Sequence, residues 1–431
     1  MSAVRSMLSF FGAAGLLFGA SGAQPVAADS VADFYKGKTV NLFVGQSAGG
    51  GYDTYARTVA RHLGKHIPGN PTVVVRNRPG AGSLVLTNEL YNILPKDGTV
   101  LALIARGMPM EPLLGNEKAK YDARKFNWIG SANNEVSICV AWHTTPIQRF
   151  EDLYTQEMVV GGTGSGADTA LFPKILNNVL GTKMKLIVGY PGGNDINLAM
   201  ERGEVQGRCG YSWSSAKSRN AEWLEQKKIR ILAQISTEKH EELPDVPLIM
   251  DFVKDPDDRR AMELIFARQV MGRPFVAPPG VPAARVRALR AAFNATVKDP
   301  EFLAETGKQD LEVNPVTGER IAKLLDEIYA SSPRAIALAK EAVTSEAKTQ
   351  ITKKKQDLVE TVSTTIAKIE NGGRELQFKN KDKVHKVRIS GSRTKLTVGG
   401  KNASRKDIKV GMACDISYQG DGSEAKNIAC Q

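Results

Sequence analysis

VNLFVGQSAGGGYDTYARTVARHL, residues 40–63, is the stretch that decides the fold. Val40, Leu42, Phe43 and Val44 read as a short buried strand that stops at Gly45. The turn Ser47-Ala48-Gly49-Gly50-Gly51 follows at once, and Tyr52, Tyr55, Ala56, Val59, Ala60 and Leu63 then repeat at helical spacing. Such a unit aims free backbone N–H groups, and the partial positive charge of a helix start, at whatever is negative nearby. Taken alone it is an ordinary strand-to-helix turn; it gains meaning because the chain repeats it.

Residues 71–75 (PTVVV) read as a second strand, leading into Asn77-Arg78-Pro79-Gly80-Ala81-Gly82 and a helix through Leu86, Leu90 and Tyr91. Lys96-Asp97-Gly98 then turns into a strand over 99–104. A second block starts near Trp128, with strand candidates at 138–142 and 158–160. The latter runs into Gly161-Gly162-Thr163-Gly164-Ser165-Gly166-Ala167-Asp168, after which Leu171, Ile175, Leu176 and Val179 resume helical spacing. A third copy consists of a strand over 185–188, the turn Gly189-Tyr190-Pro191-Gly192-Gly193, and a helix with Ile196, Ala199 and Met200 that Gly203 closes. This alternation predicts an α/β protein with parallel sheets covered by helices on both faces.

The glycine loops fail the enzyme templates. A P-loop needs Lys and Ser/Thr after its last glycine, whereas Gly166 is followed by Ala167-Asp168. The dinucleotide spacing fails at the consecutive glycines 49–51 and at the alternating Gly162, Gly164 and Gly166. A nucleophile elbow around Ser165 needs glycine where Thr163 stands. None of the five histidines lies in these loops. With no paired catalytic acids and no metal-ligand spacing, the reading is of binding without catalysis, metal or cofactor.

A chain of 431 residues that is 42% hydrophobic predicts two or three packed domains. Arg5, the apolar run 7–20 and the small residues up to Ala28 read as a signal peptide over 1–28, hence export to the periplasm as a soluble protein. The net charge of +12 is uneven, since residues 371–431 hold 13 Lys/Arg against 6 Asp/Glu. That tail reads either as a solvated basic face with no partner or as a contact for peptidoglycan, anionic lipid or a membrane partner; export removes nucleic acid as the usual target, and no RNA-recognition signature is present.

FVGQSAGGGYDTYAR, VRNRPGAGS, PKDGT, GGTGSGADTA, YPGGNDINLAMERGEV and LPDVPLIMD occur in the order seen in the tripartite tricarboxylate transporter receptors of the Bug or TctC type, and the chain resembles them over about residues 33–330. The resemblance implies a two-lobed, periplasmic-binding-protein-like (Venus flytrap) α/β fold with two crossovers that closes around a small organic carboxylate. It implies that the first loop and the glycine-serine loop face each other across the cleft, holding the carboxylate through backbone N–H groups, hydroxyls and water, usually without an arginine clamp. Carried over by position, the ligand-binding set is Ser47, Ala48, Gly49, Gly50 and Asp53, then Thr163, Gly164, Ser165, Gly166 and Asp168, then Tyr190, Pro191 and Gly192. Asp53 and Asp168 read as helix N-caps that hold the loops in shape. The chain departs from the family pattern at Gln206 and over Arg208-Cys209-Gly210-Tyr211-Ser212-Trp213. Arg208 reads either as a surface ion pair or as the partner of a second carboxylate on the ligand, and Tyr211 and Trp213 as core or as an apolar cleft floor.

The expected lobes are residues 29–128 with 245–330, and 129–244. Thr317 reads as the N-cap of a helix with Ile321, Leu324, Leu325, Ile328 and Tyr329 on one face, Ser332-Pro333 starts another, and 331–370 forms a helical spacer. Residues 371–431 alternate as Leu376/Phe378, Val387/Ile389, Leu396/Val398 and Met412/Cys414/Ile416/Tyr418, which predicts a small all-β module. Cys414 and Cys430 lie symmetrically about Gly422, so a hairpin turning there sets them opposite one another for a disulfide. Cys139 and Cys209 read equally well as paired or as two buried thiols. The expected partners are a small organic carboxylate and the large and small transmembrane subunits of a transporter, with the receptor itself a monomer. The rival readings are a sensory receptor presenting the ligand to a membrane kinase, and an envelope scaffold or adhesion protein acting through the basic tail.

Overall fold

The chain's computed structural model describes residues 30–344, 349–353, 360–380, 383–391, 394–418 and 422–431. The expected signal peptide lies outside the described residues. Among the described residues, no helix is long and apolar enough to cross a membrane.

Strands β1 (Thr39–Val44), β2 (Thr72–Asn77), β3 (Val100–Leu103) and β4 (Asn127–Ser131) start the first lobe. β1 lies between β2 and β3 and runs parallel to both. Strands β5 (Ser137–Trp142), β6 (Met158–Gly162), β7 (Met184–Val188), β8 (Gly207–Ser212) and β9 (Ile229–Ile235) build the second, where β6 runs parallel to β7 and β8 while β5 is antiparallel to β8 and β9. β10 (Pro274–Ala277) and β11 (Val316–Thr317) then return to the first sheet, β10 running antiparallel between β3 and β4. The sheets are therefore mixed where the alternation predicts parallel ones, because each crossover enters its new lobe against the local strand direction. Helix Gly51–His66 follows β1 as its periodicity predicts, burying Tyr55, Ala56, Val59, Ala60 and Leu63.

The two crossovers run side by side. Ala132 N–H donates to Arg273 O (3.2 Å), Gly272 N–H to Asn133 O (3.0 Å) and Glu135 N–H to Gln269 O (2.9 Å). Here the Glu135 carboxylate, fully buried, stands 3.1 Å from Arg273 Nη2 and 3.9 Å from Arg106 Nη1, and accepts a bond of 2.5 Å from Ser214 Oγ. Burial pushes its pKa up, but Arg273 and Arg106 outweigh burial and leave it below the ordinary glutamate value.

The lobe boundaries differ from expectation at the return. Instead of rejoining lobe one near residue 245, the chain stays on lobe two through Met271: Phe252 packs 4.6 Å from Phe150, and Phe266 5.3 Å from Phe172. Helix Gly318–Tyr329 covers β4 through Ile321, Leu324, Leu325 and Ile328, and Thr317 Oγ1 caps it by accepting from Arg320 N–H (3.2 Å). Beyond the two crossovers, the chain then goes back to lobe two. Helix Pro333–Thr344 packs on helix Pro256–Phe266, and β12 (Ile351–Lys353) extends the second sheet beside β7.

The helical spacer therefore ends early, and part of it is strand: β13 (Glu360–Glu370) opens the C-terminal module. β-Branched Thr361, Val362, Thr364, Thr365 and Ile366 favour extended backbone over the helix that the neighbouring lysines and glutamates suggest. β13 pairs with β14 (Glu375–Asn380), which pairs with β15 (Lys383–Arg388). Past the short pair β16 (Lys395–Val398) and β17 (Lys401–Asn402) come β18 (Ala413–Tyr418), beside β13, and β19 (Asn427–Cys430). β16 runs parallel to β19, and Arg388 at the end of β15 bridges Glu424 in parallel, so the sheet closes on itself. This is the five-stranded Greek-key barrel order of an OB fold, with β15 and β16 sharing the third position. Its core holds Ile366, Leu376, Phe378, Val387, Ile416, Tyr418 and Ile428.

Both cysteine pairs form disulfides. Cys414 stands opposite Cys430 in the β18–β19 register, as the symmetry about Gly422 predicts, and Cys139 opposite Cys209 between β5 and β8.

Two outcomes follow from this packing. Glu135→Gln leaves Arg273 buried without its counter-ion and should cost about 3–5 kcal/mol in urea unfolding at neutral pH. Because the folded-state pKa of Glu135 is depressed, its contribution is present above the unfolded value and lost as pH falls through the folded one, so acidification should narrow the gap between the two proteins; an equal gap at both pH values would contradict this. Replacing Cys414 and Cys430 together by serine should lower the stability of the barrel by about 3 kcal/mol without moving unfolding of the lobes. A barrel transition that does not move would contradict this.

Candidate functional site

Three helices begin at the space between the lobes: Gly51–His66, Asp168–Ile175 and Gly193–Glu201. Their first residues, Gly50 to Tyr52, Ala167 to Thr169, and Gly193 with Asn194, line one cavity of ≈ 330 Å³. The partial positive ends of three helices therefore converge on one volume. Close approach makes Gly51 a requirement, since a Cβ there would stand 2.0 Å from Ser215 Oγ.

Of the carried-over ligand set, Gly49, Gly50, Thr163 and Asp168 stand on the cavity wall, as does Arg208. The others lie off it and hold the lobes to each other or to themselves. Ser47 Oγ reaches across to Asp195 Oδ2 (2.6 Å) and Asn194 Oδ1 (2.9 Å), and Ala48 O accepts from Asn194 Nδ2 (3.1 Å). A Cβ on Gly192 would stand 2.2 Å from Ser47 Oγ, and one on Gly164 2.3 Å from the Ala81 carbonyl carbon. The first loop thus packs against the third, and the glycine-serine loop against the turn at Ala81-Gly82, while both loops also reach the common cavity. Gly166 packs on the Glu111 side chain, Ser165 and Pro191 are exposed, and Tyr190 belongs to the core of lobe two.

Neither aspartate is the expected N-cap, since Gly50 and Ala167 hold those positions. Asp53 accepts from Gly49 N–H (2.9 Å), Arg57 Nε (2.9 Å) and Asn77 Nδ2 (2.8 Å), which fixes the first loop. Burial raises its pKa, and these bonds outweigh burial and leave it below the ordinary value. Asp168 is not a helix cap: it receives Arg106 Nε at 2.5 Å and Arg268 Nη1 at 3.5 Å.

Arginine supplies the cations that sequence reasoning passed over. Arg106 and Arg273 are buried on the wall, Arg106 bonding Ser137 and Ser212 and Arg273 bonding Ser214 and Ser215. Arg106 directly follows the apolar run of β3, the strand end where ligand crevices of α/β sheets open, and that position was the available signal. Tyr52, Asn194, Asn197, Ser215, Arg219 and Glu201 also line the cavity, without a local signature.

Arg208 is not the surface ion pair that was one of its two expected forms. At 4% exposure it is not a surface residue, and among the described residues it has no carboxylate partner. Its Nη1 donates to Asn197 Oδ1 (2.6 Å) and Gly193 O (2.8 Å), its guanidinium lies 4.1 Å from the centre of the Tyr211 ring, and its buried Nε has no partner. Burial pulls its pKa down to about 10. Tyr211 lines the cavity beneath it, while Trp213 is core and donates Nε1–H to Glu242 (2.5 Å).

The grouping of His62, Asp299 and Glu301 has the ligand types of a cation site, but Lys65 Nζ occupies both carboxylates at 2.6 and 2.5 Å.

Comparison with known proteins gives a consistent family. The profile described as tripartite tricarboxylate transporter family receptor matches residues 55–340, ending before the barrel. A UPF0065 protein from the gbd 5′ region of Cupriavidus necator is 25% identical over 318 residues, covering 72% of this chain and 89% of its own. Among solved structures, the periplasmic binding protein BugD superposes with a TM-score of 0.59 at 22% identity, covering 73% of this chain and 100% of BugD. MatC from Rhodopseudomonas palustris, solved with bound malate, superposes with a TM-score of 0.56 at 18% identity, covering 71% of this chain and 99% of MatC. An R. palustris protein solved with adipate gives the same TM-score of 0.56 at 18% identity, covering 71% of this chain and 97% of its own. With the profile match spanning residues 55–340, the chain belongs to the tripartite tricarboxylate transporter receptor family.

Proposed function

We propose that the protein is a periplasmic receptor whose lobes close on a small organic carboxylate, which it delivers to the transmembrane subunits of a tripartite tricarboxylate-type transporter. The observation that carries this reading is Arg208, a buried guanidinium on the cavity wall without a carboxylate partner among the described residues. A buried cation is costly until an anion reaches it, and the cavity is where one arrives. The helix starts at Gly50 to Tyr52 and at Gly193 offer a second attraction for negative charge on the same ligand. A dicarboxylate satisfies both ends. Malate and adipate, present in two relatives of the same fold, are of that class.

The wall favours binding over bond-making. It presents no histidine or cysteine, and Ser212 and Ser215 are engaged by Arg106 and Arg273. Contacts across the lobes, such as Ser47 to Asp195, supply the differential interaction that a ligand strengthens when the hinge closes.

Thermal unfolding of mature protein, unfolded and refolded to strip captured ligand, tests this against mono-, di- and tricarboxylates and aromatic acids. A ligand at about 100 times its Kd should stabilise by about 2.7 kcal/mol. Arg208→Gln should weaken the best dicarboxylate by about 30-fold or more. No stabilisation by any acid would overturn the proposal.

A further inference from the structure

The barrel carries a cleft of its own, independent of the cavity between the lobes. At one end of the barrel the β13–β14 turn, the end of β15 and the segment leading into β19 meet. Backbone bonds lock them together: Ile389 N–H donates to Arg374 O (2.8 Å), Arg388 N–H to Ser423 O (2.8 Å), and Ala425 N–H to Arg388 O (2.9 Å). The cleft between them, ≈ 760 Å³, is lined by Asn371, Arg374, Glu375, Arg388, Ser390 and Glu424. Arg405 stands beside it, with Nη2 3.6 Å from where a Cβ on Gly391 would lie. Arg374 and Arg388 are exposed, and among the described residues none of the three guanidinium groups is in an ion pair. Nearby carboxylates are already engaged, Glu370 by Lys368 (2.6 Å) and Lys386 (3.6 Å), and Glu375 by Lys386 (3.5 Å).

We propose that this cleft binds an acidic glycan, gripping its carboxylate or phosphate groups with Arg374, Arg388 and Arg405. Guanidinium pairs with either oxyanion through two parallel bonds, while Asn371, whose Nδ2 donates to Glu375 Oε2 (3.0 Å), has an amide suited to hydroxyl groups. Its position, between the first inter-strand turn and the segment before the last strand, is where OB barrels hold oligosaccharides and oligonucleotides. The rest of the surface chooses between these. Oligonucleotide-binding barrels stack bases on exposed aromatics; here Phe378 and Tyr418 are buried in the core, and His385 stacks on Phe378. A bilayer wants a contiguous apolar patch; the large apolar side chains exposed on the described barrel are the scattered Val384 and Val410.

Titration of fluorescent oligogalacturonate and of a phosphomannan fragment into the full mature chain tests the proposal, with neutral dextran, phosphatidylglycerol vesicles and oligo-dT alongside. At least one acidic glycan should bind, and its affinity should fall by about tenfold or more between about 0.05 and 0.5 M salt; which of the two binds tells carboxylate from phosphate. Binding should vanish in Arg374→Gln/Arg388→Gln/Arg405→Gln, persist in Lys379→Gln/Lys401→Gln, and persist in Arg208→Gln, whose defect is confined to the cavity between the lobes. The triple variant should keep the wild-type thermal shift with small carboxylates, which certifies its fold. Binding that survives the triple variant, that is lost equally in the lysine variant, or that prefers vesicles, oligo-dT or dextran would overturn it.

Discussion

The structure depends on keeping charge inside a doubled crossover. Glu135 sits where the chain passes from one lobe to the other, between Arg273 and Arg106, with Ser214 closing the set. A carboxylate this deep is tolerated because each neighbour is placed to answer it, and removing one neighbour strands the rest. The same arginines reach from the hinge to the cavity wall, and Arg106 continues the network to Asp168 at the start of the second lobe's helix. Hinge and cavity are therefore one electrostatic unit. A shift of one lobe against the other changes how well the buried arginines are compensated, which is the physical link between closure and an anion in the cleft.

Within that unit the arginines differ. Arg106 is held by Asp168 strongly enough that burial is outweighed and its proton is more tightly bound than usual. Arg208 has no such partner, and burial acts on it almost alone. Packing explains the first and leaves the second incomplete. The backbone around Arg208 is arranged to orient the group, since Gly193 O and Asn197 fix Nη1 and the Tyr211 ring supports the guanidinium plane. An oriented, undercompensated cation is what a ligand's carboxylate can use.

Local signals carried much of this in the sequence, and pairings over long distances did not. The three strand–glycine–helix units are each written within about two dozen residues, so their strands, turns and helix starts could be read, and Gly49, Gly50 and Thr163 duly reach the wall. Ser47 entered the ligand set through the family's loop position, and a loop hydroxyl beside glycines carries no mark of its partner. Its partners, Asn194 and Asp195, come from the other lobe. Arg273 and Glu135 were illegible for the same reason, being ordinary charged residues until the crossovers bring them together, and Arg106 offered only its place just after β3. Asp168 was misread as a cap because helix-start position predicts capping, while a buried guanidinium competes for the same carboxylate. In the barrel, alternation and the symmetric cysteines were legible, but β13 was hidden by the lysine-rich run before it.

Arg208 is proposed as the counter-charge for the far end of a small carboxylate. Calorimetric titration of wild type and Arg208→Gln with the best-bound dicarboxylate and with its half-amide, which keeps the shape and removes one charge, tests it as a double-mutant cycle. The two losses should not be additive, with a coupling of about 1.5 kcal/mol or more. Losses that add to within about 0.5 kcal/mol would show that Arg208 and the ligand's second carboxylate do not meet.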